Sequence, residues 1–331
     1  MTTTADSTMR AVVHDRYGTS KVLRTARIVR PSPGDHEVLV EVHAAGLDRG
    51  TEHLLTGKPY AMRLAMGLTR PKNPVPGRDV AGIVVEAGAG VTRFAVGDEV
   101  YGVAPGSFAD YAVAHETRLA HKPTNLTFLE AAVVPVSAGT ALRALVDVGG
   151  VQPGQNVLVV GASGGVGSYA VQLAKAFGAE VTGVCSAAKA DLVTSLGAAN
   201  VLDYDREDFA NGTHRYDLVL DIAGNSSLRR LRRALRPRGT VVFVGGEDAG
   251  ALLGMGRQVR GLMLSRLVRQ RLALLVAKER GSDYNRLAGL IEEGRIVPAL
   301  DRSYPLEDTP LAVHQLETGR VRGKVAISVR K

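Results

Sequence analysis

A continuous apolar run, Asn156-Val157-Leu158-Val159-Val160, leads directly into Gly161-Ala162-Ser163-Gly164-Gly165-Val166-Gly167-Ser168-Tyr169-Ala170-Val171-Gln172-Leu173-Ala174-Lys175. This junction restricts the fold more than any other stretch of the chain. An apolar run closed by glycine reads as a strand buried on both faces of a parallel sheet. The glycines permit a tight turn and bring backbone N–H groups close to an anion, and the amphipathic helix that follows presents an N-terminus that favours negative charge. Glycine patterns alone are common in loops. Here strand, glycines, helix and a second strand about 20 residues on agree with one another, so Ser163, Gly164, Gly165 and Val166 read as a pyrophosphate cradle.

Strand-like runs recur at 180–185, 200–202, 216–220 and 240–244, separated by helical stretches. That alternation predicts a doubly wound α/β domain. The first 125 residues have a different texture: short alternating runs at 37–42 and 80–86, and a Gly97-Asp98 turn before another strand, predict a compact, mostly β domain. Residues 131–146 form an alanine-rich helical pattern. From about Ser303 the chain returns to a helix holding Leu311 and Leu316 and a short strand at 324–329.

The end of the second strand of the α/β domain bears on cofactor choice. A site for NAD usually carries an acidic side chain there to bind the ribose 2′-hydroxyl. This chain has Cys185-Ser186-Ala187-Ala188-Lys189 and no acid before Asp191. Ser186 as a donor and Lys189 as a charge suit a 2′-phosphate, so NADP(H) is the expected cofactor. Tyr204 is a third candidate contact, a tyrosine packing on a surface loop being the alternative. Val244, Gly245 and Gly246 are expected to present backbone groups to the nicotinamide amide. Asn225 ends another strand on the same edge, as a site residue or simply a turn residue.

Composition narrows the classes. With 331 residues and 45% hydrophobic content, two ordinary cores are expected. A single cysteine, Cys185, excludes an intramolecular disulfide and a multi-cysteine zinc lobe, and fits a reducing, cytoplasmic setting. The first eight residues lack a secretory pattern, and no apolar run is long enough to nominate a membrane span. The net charge of +8 comes largely from arginines at 229–233 and 257–280, which lie at helical spacing and read as solvated helix faces. Nucleic-acid binding is not expected.

The ordered set Gly77-Arg78-Asp79-Val80-Ala81-Gly82, Gly97-Asp98-Glu99-Val100-Tyr101-Gly102, Gly161 to Gly167 and Gly323-Lys324-Val325 resembles the medium-chain dehydrogenase/reductase family over almost the whole chain. It is most similar to the zinc-free quinone oxidoreductases and enone reductases. The resemblance implies a GroES-like, mostly β catalytic domain (1–128 and 302–331) and a doubly wound Rossmann NADP(H)-binding domain (129–301). Because such relatives commonly pair along the edge of the Rossmann sheet, it also implies a homodimer.

Zinc-dependent members carry three catalytic ligands at positions that match Asp48, Arg78 with Asp79, and Val136. Arginine and valine cannot ligate zinc, whereas a catalytic site needs about three protein ligands, so no metal is expected. An Asp48–Arg78 ion pair filling the vacated space is one expectation; separate partners for each is the other. Zinc-free relatives often have asparagine where Asp48 stands, which leaves a bond from Asp48 to the nicotinamide ribose as a further option. By resemblance Tyr60 lines the substrate pocket and is the first candidate hydrogen-bond donor, unless it only closes its loop. Thr140, or else its packing in a helix interior, and Lys324 match positions near the cofactor. Together these imply a zinc-independent reductase that passes hydride from NADPH to a small-molecule conjugated carbonyl: a quinone, enone or 2-alkenal. The alternatives are a metal-free NADP-dependent alcohol dehydrogenase or aldehyde reductase, and an NADPH-binding interaction protein whose basic 257–269 segment meets a partner or an anionic membrane.

Overall fold

The computed structural model describes residues 7–245, 256–276 and 278–330. Contacts gather the chain into two compact units, Met1–Gly139 with Glu279–Gly294 and Leu300–Lys331, and Thr140–Lys278 with Arg295–Ala299.

The first unit is the GroES-like one. Its seven-stranded sheet runs Leu300–Pro305, Lys324–Ser328, Glu37–Leu47, Asp79–Ala87, Glu99–Val103, Leu119–His121, with Tyr111–His115 also pairing Glu37–Leu47. The alternation read in the sequence buries Val38, Val40 and Val42 on the long central strand, and they join Val80, Val84, Phe108 and Ile327 in one core. Lys324–Ser328 pairs antiparallel with Glu37–Leu47, so the tail belongs to this sheet. Gly46 stands opposite both Asp79 and Ala326. A Cβ at Gly46 would lie 2.3 Å from the Ala132 carbonyl oxygen and 2.8 Å from Asp79 Cβ, so only glycine lets these groups close over the strand.

In the second unit, six strands form an all-parallel sheet in the order Asn200–Asp203, Glu180–Cys185, Asn156–Val160, Tyr216–Asp221, Leu235–Phe243, Arg271–Leu274. This is the Rossmann order, with the reversal beside the first strand. Val157 to Val160 are 0–4% exposed, as a strand covered on both faces requires.

Two expectations are corrected. The 257–280 stretch is not continuous helix: Gly256–Ser265 is helical, and Arg271–Leu274 is the sixth strand, whose two-residue apolar alternation is masked by arginine on the sheet edge. Its Arg257 is not solvated either, since it is 14% exposed and paired to Asp221. The 131–146 helix is three pieces, Phe128–Ala132, Pro135–Arg143 and the wide-turned Ala144–Gly149. Pro135 lacks an N–H and fits only a helix's first turn, so a new helix starts there. The compact units part at Gly139/Thr140, and the segment Glu279–Gly294 joins the first unit. The physical reason is packing: Phe128–Ala132 lies on the strands Glu37–Leu47 and Asp79–Ala87, and the helix Gly281–Glu292 lies on Leu119–His121, where Tyr101 donates its hydroxyl to the Tyr284 carbonyl at 2.6 Å.

Among the described residues no helix is long and apolar enough to cross a membrane.

Candidate active site

The glycine turn takes the form its sequence demands. Gly161 leaves the first Rossmann strand at φ +92°, a left-handed conformation open to glycine, and the N–H groups of Gly161 and Ala162 both donate to Val184 O at 3.0 Å. Gly164 is the N-cap of the helix Gly165–Ala176, and no side chain caps it. A Cβ on Gly167 would stand 2.1 Å from Gly161 O, so glycine there lets the helix press onto the turn. The result is a partly exposed helix N-terminus at Gly164, Gly165 and Val166; Gly164 N donates to Gly161 O at 3.3 Å, while the N–H groups of Gly165 and Val166, unmet among the described residues, and the dipole suit a pyrophosphate.

Beside it, at the carboxyl ends of the parallel strands, is a cavity of about 220 Å³. It brings together three residues expected from the sequence, Ser163, Tyr204 and Asn225, and adds Phe209, Ser226 and Arg230, which the sequence reading missed. Arg230 sits in the run 229–233 that read as a solvated face. The only signal for it was its place one turn after a strand's end.

Ser186 and Lys189 occupy the short turn after the second strand, immediately past Cys185, whose thiol lines the cavity and is pushed up by burial. They do not themselves line the cavity. Val244 and Gly245 lie at the end of the fifth strand, where a Cβ on Gly245 would be 1.8 Å from Ile222 O. Both of their N–H groups donate to Asp221 O at 3.1 Å, so the expected backbone donors are already engaged and only carbonyl oxygens remain to offer. Gly246 lies outside the described residues. Thr140 is half-buried on the helix Pro135–Arg143.

In the first unit, the expected Asp48–Arg78 ion pair does not form. Asp48 caps the helix Arg49–Thr56, accepting from Thr51 N at 2.9 Å, and is 8% exposed. Arg78 pairs instead with Glu279. Asp48 Oδ2 is buried without a hydrogen-bond partner. Asp79 is fully buried: its Oδ1 accepts from Val136 N at 2.9 Å and its Oδ2 lies 3.5 Å from Lys324 Nζ. Lys324, 1% exposed, has Asp79 as its ion-pair partner. Burial pushes the Asp79 carboxyl up to about 7; Lys324 opposes this and nearby Asp48 adds to it.

The three positions at which zinc-dependent relatives hold metal do not fit that ion. One carboxylate oxygen is a helix cap, the guanidinium is a cation with its own partner, and Val136 contributes only a backbone N–H, a donor. Tyr60 begins the turn Tyr60–Met62, 42% exposed, with the Arg63 guanidinium 4.7 Å from its ring centroid. The ring is therefore held while the hydroxyl stays open to a partner.

Comparison with known proteins agrees with this architecture. Residues 34–124 match the model of the alcohol dehydrogenase GroES-like domain, and 196–327 match that of a zinc-binding dehydrogenase. The mitochondrial NAD(P)H oxidoreductase RTN4IP1 of Mus musculus is 33% identical over 99% of this chain and 91% of its own length. The chain belongs to the medium-chain dehydrogenase/reductase superfamily. A 2-methylene-furan-3-one reductase of Solanum lycopersicum is 32% identical over 97% of this chain and 79% of its own length. The Escherichia coli quinone oxidoreductase solved in complex with NADPH superposes with a TM-score of 0.82 at 25% identity, covering 97% of this chain and 100% of that one. Membership in this superfamily makes the protein an NAD(P)H-dependent oxidoreductase.

Proposed function

We propose that this member of the superfamily is a zinc-independent reductase that uses NADPH to reduce a conjugated carbonyl: a quinone, an enone or a 2-alkenal. The observation that carries this reading is the chemistry of the former ligand positions, where Asp48, Arg78 and Val136 offer a cap, a paired cation and an amide donor. Without a Lewis acid the alkoxide of an ordinary alcohol is poorly stabilised, whereas an enolate-like oxygen needs only a hydrogen-bond donor. The relatives named for quinones and for an enone support the same substrate class.

NADPH, when bound, supplies the hydride. The uncapped helix at Gly164 and Gly165 binds the pyrophosphate; Ser186 and Lys189, with Tyr204, receive the 2′-phosphate; Ser163, Asn225, Thr140 and the carbonyls of Val244 and Gly245 orient the rest. The Tyr60 hydroxyl donates to the substrate oxygen. Asp48 Oδ2, buried and unpartnered, accepts from a hydroxyl of the bound molecules. The edge strand Arg271–Leu274, one side of which is unpaired in the sheet, pairs with its copy to give a homodimer. A lone buried cysteine suits a cytoplasmic enzyme.

The test is loss of NADPH absorbance with quinones, cyclic enones and 2-alkenals after chelator treatment, with NADH in parallel. Chelator-resistant turnover preferring NADPH is expected, and Ser186→Asp should move the preference toward NADH by more than about tenfold. Activity confined to alcohol oxidation would replace this reading with that of a metal-free alcohol dehydrogenase.

A further inference from the structure

We propose that Arg230 receives the adenine base of the dinucleotide, acting as a fixed planar donor and not as a cation for its phosphates; this rests on the nucleotide reading above. Arg230 lies in the first turn of the helix Leu228–Ala234, which Ser227 caps by accepting from Arg230 N at 3.2 Å. Its guanidinium is then fixed twice. Nε donates to Asp208 Oδ1 at 2.9 Å, and Cζ lies 4.2 Å from the centroid of the Phe209 ring, a stacking distance. No partner meets its two terminal nitrogens among the described residues, and the side chain lines the cavity at the strand ends.

Three features separate a base from a phosphate as the occupant. The cavity that Arg230 lines is more apolar than polar, with Val160, Val184, Phe209 and Ala223 among its walls. Such walls accept a flat heteroaromatic ring but would strip a dianion of water without repaying it. Asp208 holds the Nε edge of the guanidinium at 2.9 Å while also pairing with Arg233 at 2.7 Å, so part of the charge on Arg230 is offset and its terminal donor edge remains. Finally, the candidate phosphate residues Ser186 and Lys189 follow the second strand and lie outside the cavity lining, whereas Arg230 follows the fourth. A guanidinium covered on one face by Phe209 offers its other face for stacking and its terminal N–H groups to the unprotonated ring nitrogens of adenine.

The test uses the full-length protein and its Arg230→Ala and Arg230→Lys variants. Calorimetric titration with NADPH, NADH, 5′-AMP and 2′,5′-ADP is combined with turnover using reduced nicotinamide mononucleotide, which has no adenine. Arg230→Ala should weaken all four adenine nucleotides by a common factor of about tenfold, within the range of base stacking on a protein side chain. KM for NADPH should rise while kcat holds, and turnover with the mononucleotide should be unaffected. Arg230→Lys, with a point charge in place of a plane, should restore less than half of the lost factor. A loss confined to NADPH and 2′,5′-ADP would make Arg230 a phosphate reader and overturn the proposal, as would unchanged affinity for all four. Wild-type protein that bound none of them would instead overturn the dinucleotide reading itself.

Discussion

Each unit buries one carboxylate at a strand terminus against a cation, and the two pairs are built to opposite specifications. In the first unit both oxygens of Asp79 are met, by Val136 N and by Lys324 Nζ, yet the ionic contact is long at 3.5 Å. In the second, Arg257 Nη1 lies 2.5 Å from Asp221 Oδ2 and 2.8 Å from Ser226 O, while its Nε and Nη2 are buried without partners among the described residues. Burial raises the proton affinity of both carboxyls; Asp79 reaches about 7, with Asp48 adding to its rise, whereas Arg257 pulls Asp221 back through both charge and a hydrogen bond. A close contact and a fully satisfied one are therefore different designs. The close contact opposes the rise that burial imposes on Asp221, and the long one leaves Asp79 near 7, poised to take a proton.

The comparison breaks most readily at the cations. Arg257→Met leaves Asp221, 0% exposed, without its ion, and should cost on the order of 3–5 kcal/mol in urea unfolding. Lys324→Met should cost less than half as much at pH 6, because Asp79 is near its protonation point and can become neutral. Equal losses would mean that the two pairs do not differ in kind.

The pH dependence sharpens the contrast. A carboxyl whose folded value is raised from 3.8 to about 7 contributes stability that is fully present below the lower value and is lost as pH rises through the upper one. Relative to Asp79→Asn, the wild-type protein should therefore lose stability between about pH 4 and pH 7, by at most about 1.4 kcal/mol per pH unit, and run parallel above. A difference curve that stays flat over that window would show Asp79 held as an ion.

The smallest effects concern Asp48. Asp48→Ala removes the cap on Arg49–Thr56 and should cost about 1 kcal/mol, while Asp48→Asn keeps the cap. Because it removes a like charge near Asp79, Asp48→Asn should also move the Asp79 transition to lower pH. An unmoved transition, followed by the same unfolding series, would separate the two carboxylates.

What the sequence displayed and what it concealed follow from range. The glycine junction and the runs at 156–160, 180–185 and 216–220 were legible because a strand covered on both faces must be apolar at every position, and a helix pressed on a turn must have glycine at Gly167. The strand Arg271–Leu274 was not, because one side of an edge strand needs no apolar neighbour and arginine disguises it. Asp79 and Lys324 were each picked out by resemblance, but their pairing spans 245 residues and leaves no periodic trace. Arg78 likewise gave no hint of Glu279. Arg230 was hidden among arginines at helical spacing, where only the positions of Asp208 and Phe209 distinguish a site residue from a solvated one.

Lys324–Ser328 lies hydrogen-bonded between Leu300–Pro305 and Glu37–Leu47, so the sheet of the first unit draws a strand from residues translated after the whole of the second unit. During synthesis the six-stranded sheet of the second unit can be completed while the earlier one still lacks two strands and Asp79 has no cation. The sheet of the second unit can therefore close before that of the first, and a nascent chain stalled before Lys324 would present an unpaired edge to other chains.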